Sequence, residues 1–194
     1  MGTKDKIMNA MYDLVAEVGY DKASIGKICD RVGISKPSVY YYFSSKEEIF
    51  TALLDSMFPV IDYQRDYSLI VDPAGFKSAL IELGNSIIGS YRSDEKRRRV
   101  LAEVSIQANR IPAIRERHVL ATKRTMAALQ DILSHGVEIG AFRSDTNVSL
   151  YMQILYTVLE GTSNTVAQDE GVDEKSVWAG VVGFMFRQSE NDES

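Results

Sequence analysis

The sequence predicts an all-α protein, a small N-terminal helical unit followed by a larger helical bundle. Three observations carry this. Apolar residues recur at three- and four-residue steps through most of the 194 residues. No segment sustains the period-two alternation of a strand. Serines, glycines and the prolines Pro37, Pro59, Pro73 and Pro112 stand where helices start or stop.

Taken in order, Ile7, Met11, Leu14 and Val18 mark one face of a first helix, which Gly19 ends because glycine tolerates a left-handed cap. Ser24 caps a short second helix through Arg31, with Ile25, Ile28 and Val32 inward and Gly33 as its stop. Ser35 caps a third, with Pro37 in its first turn, where a missing N–H costs nothing. Ser45-Lys46-Glu47-Glu48 reads as a capping box, Ser45 and Glu48 satisfying each other's orphan N–H groups. Ile49, Leu53, Leu54 and Met57 follow on one face, and Pro59 should end or kink that helix. Five more helices are expected near 74–91, 95–109, 113–135, 146–168 and 174–187, with a turn over residues 136–145 and fraying over 189–194.

The net charge is −5, yet the segment from Lys22 to Lys46 holds Lys22, Lys27, Arg31, Lys36 and Lys46 against Asp30 alone, a local balance of +4. Bulk positive charge is therefore excluded as a way of binding nucleic acid. A compact basic segment turned toward a polyanion is not, and a solvated helix surface is the other reading. One cysteine, Cys29, makes no internal disulfide and reads as a small core hydrophobe. The longest charge-free run, Thr146–Leu159, is 14 residues, against the ~18 that a membrane span needs. The start MGTKDKIMNA has no apolar signal core, so a cytoplasmic location without a membrane partner is expected.

Residues 24–43 are spaced as a helix-turn-helix, whose second helix enters the major groove of DNA. Ile25, Ile28, Val32, Ile34 and Val39 can fix the angle between the helices, and Gly33 allows the turn. Ser38 and Tyr41 suit base edges, Lys36 and Lys46 suit phosphates. A helical hairpin inside a core has the same spacing. Tyr40 and Tyr42 lie 200° apart on one helix, so both cannot face the groove squarely, and each also reads as a half-core residue with only its hydroxyl outside.

The run Gly19-Tyr20, Ala23-Ser24-Ile25, Ile28, Val32 through Phe43, and Ser45-Lys46-Glu47-Glu48-Ile49 resembles the DNA-binding domain of TetR-family transcriptional regulators, over about residues 7–54. The resemblance implies an N-terminal three-helix DNA-binding domain (1–46) and a C-terminal helical bundle for ligand binding and dimerisation (47–194). It places Lys36, Pro37, Ser38 and Tyr41 at bases and Ser24, Tyr40, Tyr42 and Lys46 at phosphates. Lys27 and Ser35 complete the candidate DNA-binding set. Gly26 departs from the longer side chain some members use, and Cys29 from their usual alanine.

One such reading head spans few base pairs, so a palindromic double-stranded operator and a two-fold homodimer are expected. Val148, Met152, Leu155, Leu159, Thr162 and Val166 form one apolar stripe, and Leu150, Ile154 and Val158 another. Val177, Val181 and Phe184 oppose Trp178, Val182, Met185 and Phe186 on the last helix. A helix apolar on two sides needs two partners. The candidate dimer interface is Met152, Leu155, Leu159, Val166, Val177, Val181 and Phe184; burial of both faces within one subunit is the alternative.

The resemblance also implies release from DNA by a small hydrophobic effector. Candidate lining residues are Tyr63, Phe76, Leu80, Glu103, Gln107, Met126, Tyr156 and Glu160, all of which read equally as core packing. His118 and His135 are 17 residues apart and no metal, phosphate-loop or nucleophile motif is present, so no enzyme, metal or cofactor is expected. The basic run Lys96-Arg97-Arg98-Arg99 reads as a solvated face or as phosphate contacts. The expected function is a ligand-responsive, DNA-binding transcriptional repressor. The alternative is a helical ligand-binding or protein-interaction module without sequence-specific DNA binding.

Overall fold

The computed structural model describes residues 1–57, 66–168 and 171–190. Among them it is all-helical: α1 (Thr3–Val18), α2 (Ile25–Val32), α3 (Lys36–Tyr42), α4 (Lys46–Met57), α5 (Pro73–Ser93), α6 (Glu95–Ala108), α7 (Pro112–Glu138), α8 (Val148–Gln168) and α9 (Glu174–Glu190), with a short 3-10 turn at Tyr67–Leu69. The expected effect of Pro59 falls outside the described residues, as do residues 191–194 of the stretch 189–194 expected to fray; Ser189 and Glu190 instead continue α9. No described helix is long and apolar enough to cross a membrane.

The caps are those the sequence chemistry demands. Ser24 and Ser35 each accept from the backbone N–H three residues on, in Lys27 and Ser38. Gly33 closes α2 at φ 74°, a conformation that favours glycine. At α4 the capping box is only half formed. Ser45 Oγ accepts from the Glu48 N–H at 3.0 Å, but the Glu48 carboxylate bonds the N–H and hydroxyl of Ser44, each at 2.6 Å.

The chain divides into two compact units, and they do not follow the boundary at residues 46 and 47. The first comprises the described residues of Met1–Ile61 together with Asp94–Thr122. Its core joins Ile7, Met11, Leu14 and Val15 of α1 to Ile28, Val39, Ile49, Phe50, Leu53 and Leu54, and then to Val100 and Val104 of α6 and Ile114 of α7. The reason is geometric. The inner faces of α1 and α4 present more apolar surface than α2 and α3 can cover, and α6 covers the rest. Val18, expected inside, is exposed in the last turn of α1, where Val15 is the buried residue.

The second unit comprises the described residues of Asp62–Ser93, and Lys123–Ser194. Its core holds Phe76, Leu80 and Ile88 of α5, Leu129 and Leu133 of α7, Phe142 from the turn that follows α7, Leu155 and Leu159 of α8, and Trp178, Val182, Met185 and Phe186 of α9. Phe142 meets Phe186 at 4.8 Å and Tyr151 edge-on at 5.5 Å between ring centroids. The expected interface residues Leu155 and Leu159 are thus buried within the chain's own core, where they pack α8 into the unit.

One carboxylate in this unit is buried. Glu174, in the first turn of α9, accepts from Arg92 Nη2 of α5 and, at 3.2 Å, from Thr165 Oγ1 of α8. Burial pushes its pKa up, but the bonds from Arg92, the backbone and Thr165 outweigh this, and the net displacement is downward from 4.5. A carboxylate held below its unfolded value stabilises the fold above about pH 4.5, and that contribution is lost as pH falls through the folded value. Glu174→Gln is expected to lower the melting temperature at pH 7 and to narrow the gap to wild type between about pH 5 and pH 3. Melting curves across that range check it; a gap that stays constant would show that Glu174 does not titrate with unfolding.

Candidate nucleic-acid interface

Helix α3 is seven residues long and rests on one buried side chain. Val39 is fully buried, Ile28 of α2 is fully buried beneath it, and Ile25, Val32 and Ile34 pack at the margin of the same core. Phe43 is buried at the C-cap. With the inner face anchored this way, the outer face is left to solvent. Lys36, Pro37 and Tyr40 are exposed, and Tyr41 is 83 % exposed, standing edge-on to Tyr42 at 5.0 Å between ring centroids. A tyrosine this open near the end of a short helix adds nothing to the core. Its ring and hydroxyl are free for a partner surface.

The other candidates surround this helix, each with its own local duty. Ser35 Oγ and Ser38 Oγ lie 2.9 Å apart, so the Ser38 hydroxyl, half-buried, is shared with the cap. Ser24 is exposed at the N-cap of α2. Lys27 is exposed, with Nζ donating to the Lys22 carbonyl at 3.0 Å. Tyr42 is exposed along more than a third of its surface.

Lys46 is more inward than its sequence position suggests. Its Nζ donates to the Tyr20 carbonyl at 3.0 Å and stands 4.0 Å from the centre of the Tyr20 ring. Burial holds its pKa below the usual lysine value, against an opposing pull from Asp21. Tyr20 itself is buried against Phe50, ring centroids 4.9 Å apart. Burial first, then Glu47 and Asp21, push its hydroxyl up to about 12, so it remains un-ionised at neutral pH.

The candidate effector-lining residues are divided between the two units. Glu103 and Gln107 belong to the first unit, where Glu103 Oε2 accepts from the Tyr20 N–H at 3.2 Å and from the buried Gln107 amide at 3.4 Å. Phe76 and Leu80 are fully buried in the second unit, Met126 and Tyr156 are half-buried there, and Glu160 is exposed. Tyr63 lies outside the described residues. In the basic run, Lys96 pairs with Asp13 at 2.7 Å, Arg99 pairs with Glu95 at 2.6 Å, and Arg97 donates to the Met57 carbonyl at 3.3 Å.

Sequence reasoning missed the Glu103–Tyr20 bond and the bidentate pair of Arg31 with Glu17, at 2.6 and 3.0 Å, which ties α2 to α1. Neither has a local sequence signal, since the partners are 83 and 14 residues apart.

Residues 7–53 match the family described as "Bacterial regulatory proteins, tetR family". Over longer spans the chain is similar to the fatty acid metabolism regulator protein of Bacillus subtilis, 22 % identical over 170 residues, covering 87 % of this chain and 86 % of that one. It is similar to the HTH-type transcriptional repressor KstR2 of Mycolicibacterium smegmatis, 27 % identical over 158 residues, covering 78 % and 73 %. Its fold matches that of the B. subtilis transcriptional regulator FadR solved in complex with stearoyl-CoA, with TM-score 0.74 and 20 % identity over 94 % of this chain and 97 % of that one. Residues 7–53, which span α1 to α4, are thus similar to the N-terminal domain of bacterial regulatory proteins of the tetR family.

Proposed function

We propose that the protein is a dimeric DNA-binding transcriptional regulator, acting as a repressor that a small hydrophobic molecule releases from its operator. The observation that supports DNA reading is the outward face of α3, where Lys36, Pro37, Tyr40 and Tyr41 are exposed over a buried Val39. In this reading Lys36, Pro37, Ser38 and Tyr41 meet bases, while Ser24, Lys27, Ser35, Tyr40, Tyr42 and Lys46 meet the backbone or shape the contact surface. Residues 1–46 read DNA, and 47–194 carry effector binding and dimerisation.

The outward apolar side chains of α8 and α9 support the dimer. Val177 is 45 % and Phe184 54 % exposed, and Leu150 is exposed beside half-buried Ile154, Val158 and Val181. Met152 and Val166, also half-buried, sit at the edge of this surface, whereas Leu155 and Leu159 drop out of it. Two such faces back to back make a four-helix seam, the isologous arrangement a palindromic operator requires.

Binding to duplexes from the gene's own upstream region tests the proposal. With about four phosphates neutralised per subunit, log K should fall against log salt with a slope of roughly −7. Lys36→Ala and Tyr41→Ala should each weaken binding by about 1–3 kcal/mol while leaving the melting temperature unchanged. A slope near zero, or unchanged affinity in both variants, would replace this reading with that of an interaction module. Stearoyl-CoA is the first effector probe, because a regulator of this fold has been solved with it. The ligand can shift the operator equilibrium only by its differential affinity for the two states. Equal operator affinity with and without saturating stearoyl-CoA would remove that ligand class.

A further inference from the structure

Two glycines of α5 are treated differently by the fold. Glycine in the middle of a helix weakens it relative to alanine, so each needs a local reason. Gly84 has one: the Trp178 indole of α9 lies where its Cβ would stand. Gly89 has none within the chain. It is half-buried, and a Cβ built there would meet nothing within 4 Å. Side chains on a helix lean toward its N-terminus, so the room left open at Gly89 lies over residue 85, one turn earlier.

That residue is an asparagine whose amide is incompletely bonded. Asn85 Oδ1 is buried and has no hydrogen-bond partner. Among the described residues of the second unit, it is the only buried side-chain nitrogen or oxygen in that state. Other buried polar groups there are matched. Trp178 Nε1 donates to the Leu80 carbonyl at 2.9 Å, Thr162 Oγ1 donates to the Leu159 carbonyl at 2.8 Å, and Glu174 accepts from Arg92 and Thr165. Turning the Asn85 amide over would only exchange a buried acceptor for buried donors. A carbonyl oxygen buried without a donor forgoes a bond that water would supply. Its flanks on the helix are apolar: half-buried Ile81 one turn before, fully buried Ile88 one turn after.

We infer that Asn85 and the room at Gly89 form a binding subsite for an uncharged apolar molecule carrying an O–H or N–H donor, an alcohol or an amide. Asn85 Oδ1 accepts from that donor, and the apolar body lies between Ile81 and Ile88. The molecule is uncharged because Asn85 offers a dipole and no charge, while the ion pair of Arg92 with Glu174 is already closed. The inference rests on the effector-binding reading above and deepens it. Hydrophobicity alone does not select the ligand, because a hydrocarbon or an ester leaves the buried oxygen unpaired.

Decanamide and methyl decanoate, equal in acyl length, test this on the full-length protein. Binding is followed by the fluorescence of Trp178, the chain's single tryptophan, whose indole covers Gly84 beside Asn85. Decanamide has N–H donors and the ester has none. The ratio of amide to ester affinity should fall about 5- to 100-fold from wild type to Asn85→Leu, an exchange of similar volume. Without ligand, Asn85→Leu should melt above wild type, because leucine takes the buried position with no unmet bond. Gly89→Leu fills the room and should weaken binding of both probes about tenfold or more, while melting no lower than wild type. An unchanged ratio in Asn85→Leu, a lower melting temperature of that variant without ligand, or unchanged binding in Gly89→Leu each overturns the inference. Wild type that takes up neither probe is a different outcome, and overturns the reading of this unit as a site for hydrophobic molecules instead.

Discussion

Phe184→Asp is expected to yield a monomer whose operator affinity is lower by about 10²- to 10⁴-fold, the avidity lost when two linked binding events become one. Phe184 and Val177 are exposed on the outer side of α9, opposite the buried Trp178, Val182, Met185 and Phe186. A carboxylate at position 184 therefore costs the folded subunit little, because it stays in water. In the proposed seam it would be desolvated without a partner. The paired control is Leu155→Ala. Leu155 is fully buried within the subunit, so its truncation should cost about 2–5 kcal/mol of subunit stability rather than dissociate the dimer first. Sedimentation and operator titration of both variants at one concentration separate the cases. A Phe184→Asp protein that sediments as a dimer would move the interface to another surface.

Gly84→Ala is expected to destabilise the second unit by roughly 3 kcal/mol or more, at the upper end of the cost of overpacking. Alanine in the middle of a helix ordinarily stabilises it by about 1 kcal/mol relative to glycine, so the sign itself is diagnostic. The cause is the approach of α9 to α5. A Cβ at Gly84 would lie 2.0–2.3 Å from atoms of the Trp178 indole. That ring has nowhere to go: it is fully buried, and its Nε1 donates to the Leu80 carbonyl at 2.9 Å. For a chain of this size the loss corresponds to about 6–12 °C in melting temperature. Trp178→Phe in the Gly84→Ala background should recover part of it by freeing space. Wild-type stability in Gly84→Ala would mean that α5 and α9 are not this close in solution.

The sequence by itself determined the helices, their order and the helix-turn-helix of α2 and α3. Ser24, Gly33, Ser35 and Ser45 are local signals, because a cap is a bond between residues three apart. Tyr41 was readable as an outward side chain because Val39 and Phe43 on the same short helix had to point inward. The two sides of α9 were readable too, from the three-four spacing of Trp178, Val182 and Met185 against Val177, Val181 and Phe184.

Only the tertiary structure decided which apolar face of α8 stays outside, since Leu155 and Leu150 are equally hydrophobic and periodicity does not say which meets α5 and α9 first. It also decided that α6 shares a core with α1 and α4, and that Glu103 accepts from the Tyr20 peptide N–H. Those assignments depend on pairings across 80 or more residues, where no spacing rule links the partners and the winner is set by which surfaces fit and exclude water together.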